Sequence, residues 1–516
     1  MSSNPAYSEM LSELRRSITA RLPSFLTAQR WFGGKARQVR EVGITDAIPI
    51  SHEGANAIVL LVRVEYLDGA DETYSIPIIT GSQAGGDSLE DAFSRPQFLA
   101  ELLDIIRRED DVCGEKGRLR GCQTTSFSEL LLGSEAALPK KLTGEQSNSS
   151  VIYGDRAILK FFRRIEEGEN PDLEIGRFLT HKARFAHVPR IAGWIEYHAR
   201  NGKLATQAIL QEFTPNQGDA WRYALKTLSA FYEQAADLSS ERLPQPDLPR
   251  SEECQRFSSE PMAHLLADIA LLGKRTAELH LALSSQSDDT AFAPEPFTMQ
   301  FQSKLEASFA ELTCRTLSLL RARIADVPPE YRDQSRKIIA REPETLQRFH
   351  ELLNAPIDAM RIRIHGDYHL GQVLYTGADF VIIDFEGEPA RPLAERRIKQ
   401  SPLQDVAGML RSFHYAAFAP LLMPPAGSSV SSGKSAALNG LAEAWSRCAA
   451  DAFLGQYYET SDAAHYLPTG ARERAKLLQM YLLAKAIYEL GYELNNRPAW
   501  VGIPLEGILR LLSPEV

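Results

Sequence analysis

Basic charge is short in this 516-residue chain: Lys and Arg total 57 against 67 Asp and Glu, a net charge of −10. Such a surface is a poor partner for nucleic acid, whose phosphates need cations, and for anionic membranes. Any phosphate it handles must be met by local donors and a metal ion. Apolar runs are short as well. None approaches the roughly 20 residues that a membrane span needs. The opening stretch, with Glu9, Glu13, Arg15, Arg16 and Arg21 among apolar positions, reads as an amphipathic helix rather than a signal peptide. The five cysteines, Cys113, Cys122, Cys254, Cys314 and Cys448, include no C-x-x-C spacing. They predict free thiols in a reducing cytoplasm, not a disulfide framework or a cysteine zinc site. Internal repeats, biased tracts, Walker or G-x-G-x-x-G loops and a helical H-E-x-x-H are all missing.

What is present falls into three stretches. Met10, Leu11, Leu14 and Ile18 are spaced for an opening helix that breaks at Pro23. Gln29-Arg30-Trp31-Phe32-Gly33-Gly34-Lys35 follows, then β-rich runs at 57–64 and 73–79 and a turn or loop at 81–86. Residues 1–90 thus read as a small α/β unit. Residues 91–213 predict a mostly antiparallel sheet with helices at 96–108 and 172–181. Val151-Ile152-Tyr153 and 157–162 flank a hairpin turn at Gly154-Asp155. Residues 214–516 are mainly helical, at 220–238, 262–283, 297–324, 403–415 and from 437 onward. A β insert at 361–364 and 380–383 interrupts them, and 424–434 reads as a mobile loop. A small β-rich part followed by a large helical part is the coarse signature of a two-lobed, α+β, protein-kinase-like fold.

The chemistry concentrates in RIRIHGDYHLGQVLYTGADFVIIDFEGE, residues 361–388. Asp367 stands in a loop after one short strand and Asp384 ends a second, with a hairpin turn around Thr376-Gly377 between them, so two carboxylates come to the same end of one hairpin. Phosphoryl transfer uses such a set: one carboxylate accepts a hydroxyl proton, and the other, with an amide oxygen, holds Mg2+ against the phosphates of ATP. This assigns Asp367 as catalytic base, Asp384 and Gln372 as metal ligands, and Glu386 as an assisting ligand. His369 packs and orients the loop on the acceptor side rather than reacting. A zinc site built on His365, Asp367 and His369 is the competing reading. It has no second ligand cluster to support it. No A-P-E segment follows Asp384, which disfavours a protein kinase.

The β-rich part should supply a lysine to the phosphates, fixed by a helical carboxylate. Lys160 fits, because an ammonium within an apolar strand needs a partner, and Glu174 in the predicted helix fits that partner. The polar stretch 143–150, ending in Ser147, Asn148, Ser149 and Ser150, suits a loop that covers phosphates with hydroxyls and amides. Gln211 and Phe213 sit where a connector would offer backbone groups to adenine. Lys485, Tyr488, Glu489, Tyr492, Glu493, Asn496, Arg497 and Trp500 supply the aromatic faces and polar groups a sugar needs, and the tyrosines recur at four-residue spacing. Arg391, Arg396 and Arg397 either contact phosphate or pair with local acids.

These segments resemble the aminoglycoside-phosphotransferase-like kinases and, within them, the maltokinases, both free-standing and fused behind trehalose synthase. The resemblance rests on QRWFGGK (29–35), HGDYHLGQ (365–372), the run 383–413, and the stretch 485–505 with YELGYELNNRPAW and GIPL. It implies an N-terminal cap subdomain, an intermediate β subdomain and a helical C-lobe. It also implies transfer from ATP to the anomeric hydroxyl of maltose in the cytoplasm, an acceptor pocket bordered by the C-terminal segment, and partners such as trehalose synthase or a maltosyltransferase. Gln372, where the wider group has Asn, matches the maltokinase pattern. Asp405, at a helix start, is placed to brace the catalytic loop or to cap its own helix. Glucosamine or an aminoglycoside as acceptor, and a non-catalytic module serving trehalose synthase, are the alternatives. QRWFGGK reads as structural or regulatory, with Trp31 and Phe32 packing the cap and Lys35 projecting.

Overall fold

A computed structural model describes residues 5–52, 55–79, 89–131, 138–142, 147–236, 254–255, 257–286, 288–423 and 435–513. The expected loops at 81–86 and 424–434, and residues 143–146 of the polar stretch 143–150, lie outside the described residues. The chain forms two compact units: Met1–Lys182 with Val188–Pro215 and Arg391–Leu393, and Ala183–His187 with Asn216–Ala390 and Ala394–Val516.

The first unit opens with helix α1 (Pro5–Ala28), which continues through Pro23 instead of breaking there. Pro23 faces solvent while Leu22 and Leu26 beside it are buried, so packing of the apolar stripe holds the helix together. Strands β1 (Val39–His52), β2 (Ala55–Tyr66) and β3 (Glu72–Ile79) form an antiparallel sheet ending in β9 (Arg164–Ile165). Ile18, Leu22, Leu26, Phe32, Leu60, Val62 and Tyr74 are buried together there.

Helix α2 (Pro96–Arg108), with Pro at its first turn, lays Phe98, Leu99, Leu102, Ile105 and Ile106 on a second sheet. Its members in chain order are β4 (Asp111–Cys113), β5 (Gly117–Gln123), β6 (Lys140–Lys141), β7 (Asn148–Tyr153), β8 (Ala157–Phe162), β10 (Ile191–Ala199) and β11 (Leu204–Glu212). Their spatial order is β4-β5-β10-β11-β8-β7-β6. Short helix α3 (Ser126–Leu131) and helix α4 (Pro171–Arg177), which runs on as a wider turn through Phe178–Lys182, complete the unit.

QRWFGGK acquires a physical role here. Phe32 is buried on Tyr74, with ring centroids 5.2 Å apart. A Cβ on Gly34 would sit 2.2 Å from the Tyr66 hydroxyl, so only glycine fits. Trp31 covers the guanidinium of Arg163, 5.0 Å from its ring centroid. Arg163 is fully buried and pairs with Asp91 at 2.7 Å and with Ser149 Oγ at 2.8 Å. The motif thereby clamps the cap sheet onto the strand pair β7/β8. Lys35 is exposed, as expected.

The second unit is helical around a small hairpin: α5 (Ala220–Ala236), α6 (Glu260–Leu283), α7 (Met299–Ala322), α8 (Arg332–Ala340), α9 (Glu342–Leu353), α10 (Leu403–Leu422), α11 (Ser435–Thr460), α12 (Ala471–Asn496) and α13 (Gly502–Leu512). The all-round apolar α10 is buried along most of its length. Cys254 and Cys448, expected as free thiols, are joined in a disulfide. The odd count and scattered spacing hid it, because the pairing spans 194 residues and is made by tertiary packing. Cys113, Cys122 and Cys314 remain free. Thiol titration of the unfolded, unreduced chain should therefore count three groups, rising to five after reduction. A count of five before reduction would contradict the bond.

Candidate active site

The hairpin of β12 (Val373–Tyr375) and β13 (Phe380–Ile382) turns at Gly377, whose φ is +96°. The preceding loop is held from behind. Asp405, in the first turn of α10 and 1% exposed, accepts the amides of His365 (2.8 Å) and Gly366 (2.9 Å) with its two carboxylate oxygens. His280 Nε2 lies 3.2 Å from the same carboxylate. His365 is buried, and its Nε2 donates to the carbonyl of Ile383 at 2.9 Å. One imidazole thus ties the loop carrying Asp367 to the residue before Asp384. Removing the Asp405 carboxylate leaves buried amides unsatisfied. Asp405→Ala should therefore cost about 2–5 kcal/mol, read as a lower urea midpoint; an unchanged midpoint would rule the brace out.

Asp367 is mostly buried, and that burial pushes its carboxyl up to about 6, opposed by the Lys485 ammonium. Lys485 Nζ stands 3.9 Å from Asp367 Oδ1, and His369 Nε2 stands 3.9 Å from Oδ2. Burial, then the Lys485 charge, pushes His369 down to about 4. Its Nδ1 accepts the Gly371 amide at 3.0 Å, so a neutral ring orients the loop. His365, Asp367 and His369 make no metal cluster among the described residues, which leaves the zinc reading without a site.

Asp384 adopts φ +69°, a left-handed conformation unusual for a residue with a side chain. Backbone strain of this kind persists where the surroundings over-determine it, often at functional sites. Gln372 Nε2 donates to Asp384 Oδ2 at 2.9 Å. To serve as a metal ligand, the amide must turn its oxygen toward the ion. Asp384 and Glu386 bring carboxylate oxygens within 4.8 Å of one another, a spacing one divalent cation can bridge. Arg396 donates to the Glu386 carbonyl at 3.0 Å, so it serves the local backbone.

In the first unit, β8 alternates: Ala157, Leu159 and Phe161 are buried, while Ile158 and Lys160 point to the other face. Lys160 Nζ meets Asp172 Oδ2 at 3.0 Å. Asp172 is a partner on the same helix as the expected Glu174, and sequence reasoning did not name it. Asn170-Pro171 was the available signal: Asn170 caps α4 by accepting the Asp172 amide at 2.8 Å, which places Asp172 in the first turn.

Several other expectations are corrected. Asn148, Ser149 and Ser150 belong to strand β7 rather than a loop. The Ser149 and Ser150 side chains are buried, and Ser149 is bound to Arg163. Of that set only Ser147 lies outside the strand, exposed just before it. Gln211 lies, as expected, at the end of β11, one residue before its last, and pairs with Ile158 and Ile191. The Phe213 amide donates to the Arg156 carbonyl at 2.8 Å, so it is not a donor for a base. On α12 and just beyond, Glu489 is locked by buried Arg411 at 2.7 Å. Glu493 is 1% exposed and is bound by Tyr415 (3.1 Å) and Arg497 (2.6 Å). Trp500 stacks on Tyr415 under the Arg497 guanidinium. Asn496 bonds the Tyr492 carbonyl of its own helix at 2.9 Å. Glu489, Glu493 and Trp500 are thus engaged in packing their helix, while Asn496 and Arg497 are exposed. Tyr492 remains exposed. Lys485 and Tyr488 lie on the Asp367 side, and Tyr488 donates to Glu388 at 2.8 Å. Glu388 was missed, although it ends the same segment as Asp384.

The chain is an α+β protein of the kinase fold preceded by a cap. A solved glucosamine kinase superposes with a TM-score of 0.64 at 20% identity, covering 94% of this chain and 97% of that one. Another, in complex with glucosamine, ADP and inorganic phosphate, gives 0.61 at 21% identity over 94% and 96%. Within that class, residues 25–93 of this chain match the maltokinase N-terminal cap domain, in line with the resemblance read from QRWFGGK. Its sequence is 25% identical over 395 residues to a glucosamine kinase of Mycolicibacterium smegmatis, covering 75% of this chain and 83% of the relative. A glucosamine kinase of Streptacidiphilus jiangxiensis is 24% identical over 362 residues, 70% of each chain.

Proposed function

We propose that this protein is a sugar kinase that moves the terminal phosphoryl group of ATP onto the anomeric hydroxyl of maltose. The observation that carries the reading is Asp367, buried among Lys485, His369 and the Tyr488–Glu388 pair, with a carboxyl raised to about 6. Such a group is ionised at neutral pH yet basic enough to take a hydroxyl proton. As the sugar oxygen attacks the γ-phosphorus, Asp367 accepts that proton and ADP departs. In the first unit, the Lys160–Asp172 pair serves nucleotide phosphate, with Glu174 and Ser147 beside it in sequence. In the second, Asp384, Glu386 and Gln372 are the residues that would hold Mg2+, whose chemistry is to neutralise phosphate charge. Lys485, Tyr488 and Tyr492 border the acceptor.

Maltose is favoured over a cationic aminosugar by Lys485, because an ammonium 3.9 Å from the base repels a second cation. Glucosamine is the second reading. Glu388 beside Tyr488 offers it a carboxylate, and the relatives' names point to it. Incubation with ATP, Mg2+ and each sugar in turn, with the product identified by phosphorus NMR, decides between them. Maltose 1-phosphate supports the first reading, glucosamine phosphate the second, and no sugar phosphate from any acceptor overturns both. We further propose the division 1–90 (cap), 91–213 (nucleotide phosphates) and 214–516 (base, metal and sugar). A maltosyltransferase or trehalose synthase as the neighbouring enzyme suits the proposed product. Among the described residues no helix is long and apolar enough to cross a membrane.

A further inference from the structure

The first unit contains a cleft of 530 Å³ that uses none of the residues assigned to phosphoryl transfer. Thr45, Leu61 and Thr73 of the cap sheet line one side, and Tyr197, Ala199 and Ala205 of the larger sheet line the other. The Tyr197 ring is fixed, because its hydroxyl donates to Asp46 Oδ2 at 2.7 Å. Asp46 is 1% exposed and also accepts the Lys116 amide at 2.9 Å. With its hydroxyl turned to Asp46, Tyr197 gives the cleft an aromatic wall, extended by Leu61 and Ile165.

The charges of the cleft do not balance locally. Glu167 pairs with Lys203 at 2.5 Å. Glu166 accepts the Leu393 amide at 3.1 Å and lies 3.9 Å from Arg164. Both acids are thus engaged. Lys116 and Arg200 line the same cleft, and the Arg200 amide donates to the Lys116 carbonyl at 2.9 Å, which sets the two residues side by side. Neither side chain forms an ion pair among the described residues. In a chain of net charge −10, two adjacent uncompensated cations beside an aromatic wall are a recognition pattern. The cations suit a dianionic phosphate. The wall suits the C–H face of a sugar ring, and a cleft of this size admits such a molecule.

We propose that this cleft binds a sugar phosphate, with the phosphate on Lys116 and Arg200 and the ring on Tyr197. The inference stands on the cleft alone and is read by equilibrium binding, without turnover. Calorimetric titration of the whole chain with glucose 1-phosphate, inorganic phosphate and glucose provides the test. Three variants accompany it: Lys116→Ala/Arg200→Ala, Lys116→Glu, and Lys160→Met as a control for phosphate read elsewhere. Glucose 1-phosphate should bind at least about tenfold tighter than either fragment. The double variant and Lys116→Glu should each weaken it by about tenfold or more, while Lys160→Met leaves it unchanged. All the altered side chains but Lys160 are exposed, so melting temperatures should stay level. Absence of millimolar binding overturns the proposal. So does binding that survives both cleft variants or is lost in Lys160→Met. Inorganic phosphate binding as tightly as the sugar phosphate would remove the ring contact and reduce the cleft to an adventitious anion site.

Discussion

Asp367→Asn should lower kcat by about three orders of magnitude and leave ATP affinity nearly unchanged. The amide keeps the shape of the side chain but cannot accept the proton. The same burial that raises the Asp367 carboxyl to about 6 sets the pH profile of the unaltered protein. Activity should hold above that value and fall about tenfold per unit below it, as the base is protonated. The stability of the chain moves the other way. A carboxyl raised on folding binds its proton more readily in the folded state, so stability is gained as pH falls through about 6 toward the ordinary carboxylate range. Above that window the buried charge is a cost that Asn does not carry. Asp367→Asn should therefore melt no lower than the parent at pH 7.5, which separates lost chemistry from lost folding. Turnover within tenfold of the parent would remove Asp367 as base.

Asp384→Asn comes next in size. Loss of one formal charge from the proposed metal set should lower turnover by about 10³-fold. Asn tolerates the left-handed backbone that Asp384 adopts, so the local fold should persist. The diagnostic measurement is ATP affinity with Mg2+ and with EDTA. The parent should bind ATP more tightly when the metal is present, and the variant should show little difference. An equal gain from Mg2+ in both proteins would move the metal away from Asp384.

The features legible in the sequence are those encoded locally. The hairpin turn around Thr376-Gly377 and the strand before Asp384 form as read, whereas of the expected strand 361–364 only Arg361 is in a strand, paired with Glu295. Strand β8 with Lys160 at an alternating position is of the same kind. Asp172, which meets Lys160, and the expected Glu174 both sit early in α4; the sequence marks the helix, while the contact itself depends on how the helix docks. What sequence could not supply is long-range pairing. Glu489 and Glu493 carry the composition of a sugar site, but partners 78 residues earlier, Arg411 and Tyr415, draw them into the core. Ser149 looked like a phosphate contact until Arg163 claimed its hydroxyl. The helical spacing of Tyr488 and Tyr492 was real, yet it said nothing of Glu388, which meets Tyr488 from 100 residues away.

The bond between Cys254 and Cys448 closes a covalent ring that contains the whole segment from His365 to Glu388, while Lys485 and Tyr488 lie on the tail beyond it. A protease that nicks the chain once anywhere inside that ring releases nothing: the nicked chain migrates as one species until a reductant is added, and only then separates into two. A nick beyond Cys448 and before Lys485 instead gives two fragments on a denaturing gel, with or without reductant.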